Sequence, residues 1–187
     1  MKTITISATV YSENCTLELM TFDDADRKAW KPLFDSWKEL KLGMRAYKSR
    51  EPNIPEGLSE VAYCLWSGSS RFISAKGLSN TSFDTYNQKA GVAEQVKACS
   101  VDVDLTSFGP KSKWDKLIFL DFYNEGRVDG YFDVYELPTE DVYNYKVNRN
   151  QTLRDQQGQT RRPRFSLKKL IKASGIKPVA TKVKVWL

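Results

Sequence analysis

Histidine is absent from all 187 residues, and that single gap removes a large part of enzyme chemistry. Ser-His-Asp and Cys-His catalysis, HNH-type nuclease centres and the usual histidine-based zinc sites all need an imidazole. Cysteine is scarce as well. Cys15, Cys64 and Cys99 are odd in number and far apart, which supports neither a disulfide framework nor a CxxC zinc knuckle, and the three are expected to be reduced, partly buried thiols. No run of about 18 uncharged apolar residues exists, and the N-terminal stretch Met1 to Cys15 is polar where a signal peptide needs an apolar core. A soluble, intracellular (cytoplasmic) protein is the expectation. Internal repeats and convincing linkers are lacking too, so residues 1–187 read as one domain.

What remains for chemistry is carboxylate, amide, lysine, arginine, tyrosine and thiol. Twenty-nine Lys+Arg against 23 Asp+Glu give a net charge of +6, which favours an acidic partner. Acidic residues concentrate between Asp102 and Asp141, whereas from Lys146 onward twelve basic residues face Asp155 alone. A basic C-terminal third suits contact with phosphates.

Hydrophobic spacing orders the chain into short elements. Thr3 to Val10 reads as a strand with continuation through Thr16 to Met20. From Asp24 to Tyr47 the residues Trp30, Leu33, Phe34, Trp37, Leu40 and Met44 recur at helical steps, with Pro32 as a candidate first-turn residue. Pro55 opens a second helix to about Trp66, on which Glu56 and Glu60 share a face. Three runs follow as an antiparallel meander, Arg71 to Ala75, Ser82 to Tyr86 and Val92 to Val101. The apolar run Lys116 to Phe122 belongs in a sheet centre, and Tyr131 to Leu137 and Val179 to Trp186 alternate as strands. Residues 144–163 are polar and glutamine-rich and are expected to be a mobile loop, after which Ser166 caps a short basic helix.

One constellation carries chemistry. Asp84 lies on one strand, and Glu94-Gln95-Val96-Lys97 lies on the next. Residues two apart in a strand face the same way, so Gln95 and Lys97 project together toward the side where Asp84 can join them. With Glu60 or Glu56 from the preceding helix, the result is an oxygen-rich pocket suited to Mg²⁺, with a lysine beside it. Phosphodiester hydrolysis needs such groups, because the attacked phosphate is already anionic and its charge must be offset while water is activated. Glu56 also has the plainer role of a first-turn helix acid.

The order helix glutamate, hairpin aspartate, then (D/E/Q)-x-K resembles the core of the PD-(D/E)xK nuclease superfamily, and the chain resembles a small type II restriction endonuclease. Further likenesses are Pro55 to Glu60, Asp104 to Pro110, Leu117 to Phe122 and Arg162 to Ser166. The resemblance implies an α+β (α/β/α-like) fold, a mixed central sheet flanked by helices. It also implies a prokaryotic, Mg²⁺-dependent enzyme that hydrolyses double-stranded DNA at a short specific site as a homodimer, with a lean toward the group cutting GCNGC-type sites. Asp84 becomes the principal metal ligand, Gln95 a variant second ligand, Lys97 the water-orienting lysine and Glu60 a helix-borne ligand. Gln95 is the departure, since an amide brings an oxygen without charge and leaves Glu94 open as the second carboxylate. Residues 144–170 form the expected DNA-reading arm, with Arg161, Arg162, Arg164, Lys168 and Lys169 as contacts and amides at the start of the helix after Ser166 as a phosphate seat. Two alternatives stand beside this reading: a non-catalytic nucleic-acid-binding protein, and a structure-specific or repair nuclease with the same core.

Overall fold

An eight-stranded mixed sheet runs through the computed structural model, which describes residues 1–187. The chain begins with a hairpin of β1 (Lys2–Val10) and β2 (Glu13–Thr21), whose tight turn holds Tyr11 and Ser12 at positive φ. Helix α1 (Asp24–Ala46) starts where the Asp23 carboxylate accepts from the amides of Ala25 and Asp26, while Asp26 returns a bond to the Asp23 amide. That reciprocal cap fixes the helix start, so Pro32 lies inside the helix rather than in its first turn. Trp30, Phe34 and Trp37 are buried as the spacing requires, but Leu33 and Leu40 are 62% and 59% exposed and pack against nothing within the chain's core.

Helix α2 (Glu56–Ser67) stops at Gly68, which takes the left-handed conformation at φ 77 and returns its amide to the Cys64 carbonyl. The expected meander follows as β3 (Ser70–Lys76), β4 (Thr85–Asn87) and β5 (Val92–Cys99). β4 is shorter than its sequence run because Ser82 turns its hydroxyl to Asn80 and accepts the Lys113 amide instead of joining the ladder. A crossover carrying β6 (Thr106–Ser107) leads to β7 (Lys116–Asp121), which pairs with β5 in parallel; every other neighbouring pair is antiparallel. The chain then runs through β8 (Phe132–Leu137), α3 (Thr139–Asn144), α4 (Leu153–Gly158), β9 (Arg164–Phe165), α5 (Leu167–Ser174) and β10 (Ala180–Val183). The order across the large sheet is β1-β2-β3-β4-β5-β7-β8-β10, with β6 and β9 forming a separate two-stranded ribbon.

Period-two alternation on the central strands divides the core into two layers. Val96, Ile118, Leu120 and Val134 face α1 and α2 and meet Trp30, Phe34, Ala62 and Leu65. Leu117 and Phe119 face the opposite way and meet Val142, Leu153, Leu167 and Leu170. The mixed sheet flanked by helices is thus the α+β architecture implied by the resemblance. No helix is long and apolar enough to cross a membrane, and all three cysteines are free and buried.

Residues 144–163 depart from the mobile loop expected of them. Leu153 is fully buried, Gln156 is buried, and the Gln157 amide donates to the Gly109 carbonyl at 2.7 Å. Thr152 and Asp155 form a capping box at the start of α4. A few apolar anchors within a polar stretch have provided enough buried contact to order it.

Candidate active site

The helix α2 N-terminus, the outer half of β5 and the segment entering β6 enclose a cleft of about 240 Å³. Asp84, Glu60, Glu56 and Lys97 all line it, together with Arg50, Asn53 and residues 103–107. Asp84 comes from the residue just before β4, and its Oδ2 accepts the Val96 amide at 2.8 Å and the side-chain amide of Gln95. Two donors from the neighbouring strand therefore fix the carboxylate.

Electrostatics mark Asp84 out from the other acids. Burial pushes its pKa up to about 6, Lys97 and the Val96 amide oppose that shift, and Glu60 and Glu56 add to it. Concentrated negative charge in a partly desolvated cleft is a common property of functional carboxylates. Glu60 is buried and bound to Arg71 of β3 at 2.6 Å, whereas Glu56 is exposed at the cleft rim.

The structure therefore brings together Asp84, Gln95, Lys97 and Glu60, with Glu56 at the rim. Glu94 is placed elsewhere. Strand alternation turns it away from Gln95 toward α2, where its two oxygens accept from Tyr63 and Thr85, each at 2.9 Å, and it does not reach the cleft. Both oxygens of this buried acid are hydrogen-bonded on the side away from the cleft, which gives Glu94 a structural role there and sets it apart from Asp84 and Lys97.

Among the basic residues, Arg161, Arg162, Arg164 and Lys169 are exposed. Lys168 is not free in the same way: its ammonium is 3.0 Å from Asp121, donates to the Val101 carbonyl and lies over the Tyr123 ring. The helix α5 N-terminus is also engaged. Asp104 accepts from the Leu167 amide at 2.6 Å and from the Ser166 hydroxyl, and Ser166 in turn accepts the Lys169 amide. Those donors have partners already, so the phosphate seat expected there is replaced by an internal cap.

Sequence reasoning missed Arg50, Arg71 and Asp104. Arg71 sits on a strand with no local motif and is tied to the site only through Glu60. Asp104 connects the cleft to the arm: it lines the pocket, caps α5, and precedes β6, which pairs with β9 so that Ser107 lies opposite Arg164. Arg164 therefore belongs to a ribbon whose other strand forms part of the cleft wall.

A mixed sheet flanked by helices, with a helix acid, a strand-edge aspartate and a lysine of the neighbouring strand around one polar cleft, is consistent with a nuclease-like core. The family model described as the Bsp6I restriction endonuclease matches residues 22–173, so the chain belongs to that family of site-specific deoxyribonucleases. A similar curated protein is the type II restriction enzyme Bsp6I of Bacillus sp. (strain RFL6), 38% identical over 146 residues that cover 77% of this chain and 80% of the relative. No solved structure matches the chain.

Proposed function

We propose that this site-specific endonuclease cuts both strands of a short double-stranded DNA sequence at the Asp84 cleft, using Mg²⁺ and working as a homodimer. The observation that carries the reading is the convergence of Asp84, Glu60 and Lys97 on one cleft, with Asp84 pinned by two donors. No three His, Cys, Asp or Glu side chains gather into a ready-made metal cluster. Mg²⁺ keeps several waters and is held by one or two carboxylates plus substrate phosphate, so Asp84 and Glu60 would be the carboxylates that hold it here.

When bound, the ion supplies charge neutralisation and a more acidic water. Asp84 holds it, and Gln95 contributes an amide that can present oxygen or nitrogen according to its rotation. Glu60 adds negative charge from α2 under the restraint of Arg71. Lys97 orients the attacking water. Of the two helix acids, Glu60 is the working one because it is buried in the cleft. Glu60→Gln should therefore slow cleavage strongly and Glu56→Gln only weakly, in single-turnover assays at saturating metal; the reverse order would transfer the role to Glu56.

Residues 144–170 serve as the DNA-reading arm, supported by the exposure of Arg161, Arg162 and Arg164 and by the ribbon that joins Arg164 to the cleft wall. Replacing an arginine that reads guanine is expected to cost about 1–3 kcal/mol on the cognate duplex alone, whereas losing a phosphate contact weakens all duplexes alike and flattens the salt slope by about one unit. Alanine at 161, 162 and 164, titrated on cognate and non-cognate duplexes across a salt series, separates the two roles. No change in affinity or salt dependence at any of the three would place the arm elsewhere. A GCNGC-type site is the candidate target, and incubation of supercoiled plasmid with and without Mg²⁺, followed by sequencing of the ends, tests both the activity and that site. Random ends, or no cleavage with any divalent ion, would overturn the reading.

A further inference from the structure

Helix α1 has three faces, and only two are accounted for. Trp30, Phe34, Trp37 and Lys41 enter the core, and Lys28, Lys31, Asp35, Lys38 and Arg45 make a charged flank. The third face carries Ala29, Leu33, Ser36, Leu40, Gly43 and Tyr47, at alternating steps of four and three residues, with no charge among them. This is the narrow seam of a helix that pairs with another helix, since only a repeat near 3.5 residues keeps one stripe facing a partner. All six residues are exposed, and Tyr47 is 82% exposed.

Gly43 is informative on its own. It sits inside the helix with ordinary backbone angles, and nothing lies within 4 Å of where a Cβ would be. Glycine there costs about 1 kcal/mol of helix stability relative to alanine, and no contact within the chain requires it. A close-approaching second helix would.

We infer that this stripe is the two-fold interface between two copies of the chain, with the two α1 helices packed antiparallel about Ser36. The inference rests on the homodimer reading above and supplies its location. An antiparallel arrangement centred on Ser36 sets Ala29 against Gly43 of the other copy and brings Leu33 within one residue's rise of Leu40. It also matches charge. The α1 N-terminus carries the exposed acids Asp23 and Asp24, and the exposed Lys48 lies just past its C-terminus, so Lys48 of each copy lies near the acidic end of the other. An apolar groove of about 340 Å³ beside Ala29 and Leu33, floored by Leu58 and Val61, extends the surface available to a partner. At its other end the stripe reaches Leu40, which shares a groove with Arg50 and Asn53, and those two residues also line the Asp84 cleft. The interface therefore runs beside the catalytic cleft, where two centres must be held at a set spacing to cut two strands.

Sedimentation equilibrium of the full chain, alone and on duplex DNA, tests this directly. Leu33→Asp combined with Leu40→Asp is expected to raise the dimer dissociation constant at least about 100-fold, because each leucine is buried twice in a symmetric pair. Circular dichroism and the thermal unfolding midpoint, measured where the variant is monomeric, report whether its fold is intact. Ser36→Cys introduces an exposed thiol into a chain whose own cysteines are all buried, so mild oxidation should yield a disulfide-linked dimer, while Lys177→Cys should not. An unaltered dimer in the double aspartate variant, with no cross-link at position 36, would overturn this interface while leaving the homodimer reading intact, and would point to another surface such as the open edge of β1. A wild-type chain that stays monomeric on DNA at all concentrations would overturn both. Asp84→Ala should remain a dimer, which separates assembly from catalysis.

Discussion

Asp84→Ala and Lys97→Ala are each expected to slow DNA cleavage by at least about a thousandfold, the scale on which removal of a catalytic group is felt. Specific binding should survive in both, because the arginines proposed to contact DNA lie on the 144–170 arm rather than among the cleft groups that these substitutions remove. Asp84 is the one acid in the cleft held by both a backbone and a side-chain donor from β5, so no neighbouring carboxylate can take its place without moving the strand. Single-turnover cleavage and gel-shift titration of the same variants check the two halves of the expectation. Near wild-type turnover in either would remove this cleft from consideration as the cutting centre.

Asp84→Asn is expected to stabilise the metal-free protein. In the folded, metal-free protein the carboxyl titrates at about 6, against an ordinary value of 3.8. Between those two values the folded chain holds a proton that the unfolded chain has released, so this group's contribution to stability falls as pH rises through the window and stays low above it. An asparagine still accepts the Val96 amide but carries no charge to desolvate. At pH 8 and without metal, the Asn variant should therefore be more stable than the parent by about 2–3 kcal/mol, and at pH 4 the gap should nearly close. A divalent cation should stabilise the parent and leave the variant almost unchanged. Urea unfolding at the two pH values, with chelator or with Mg²⁺, measures all three quantities. An Asn variant no more stable than the parent at pH 8 would mean that Asp84 is not under the electrostatic load the cleft implies.

How far the sequence reached depended on whether a feature is local. The buried strand Lys116 to Asp121, the capped helix after Ser166 and the hairpin that brings Asp84 beside Gln95 all follow from spacing of two or 3.6 residues and from turn residues, and all are present. Leu33 and Leu40 show the limit of periodicity. A stripe of leucines identifies an apolar helix face but not what covers it, and here the core takes only the tryptophan and phenylalanine side. Polarity misled at 144–163, where Leu153, with Tyr145 and Val147 packed against the same cluster, anchors a stretch whose average composition suggests disorder. Strand alternation alone turns Glu94 away from Gln95, whereas the Glu60–Arg71 pair and the Asp104 cap on α5 are contacts between separate elements. No pattern within a single element encodes them.

Calorimetric titration of Mn²⁺ into the protein on its cognate DNA, in the Lys97→Ala background that blocks cutting, tests the assignment of the metal-dependent centre most directly. Lys97→Ala alone should bind the ion, and adding Asp84→Ala should abolish that binding while the complex with DNA persists. Equal ion binding by the single and double variants would show that the ion is held away from Asp84, and the centre would have to be sought outside this cleft.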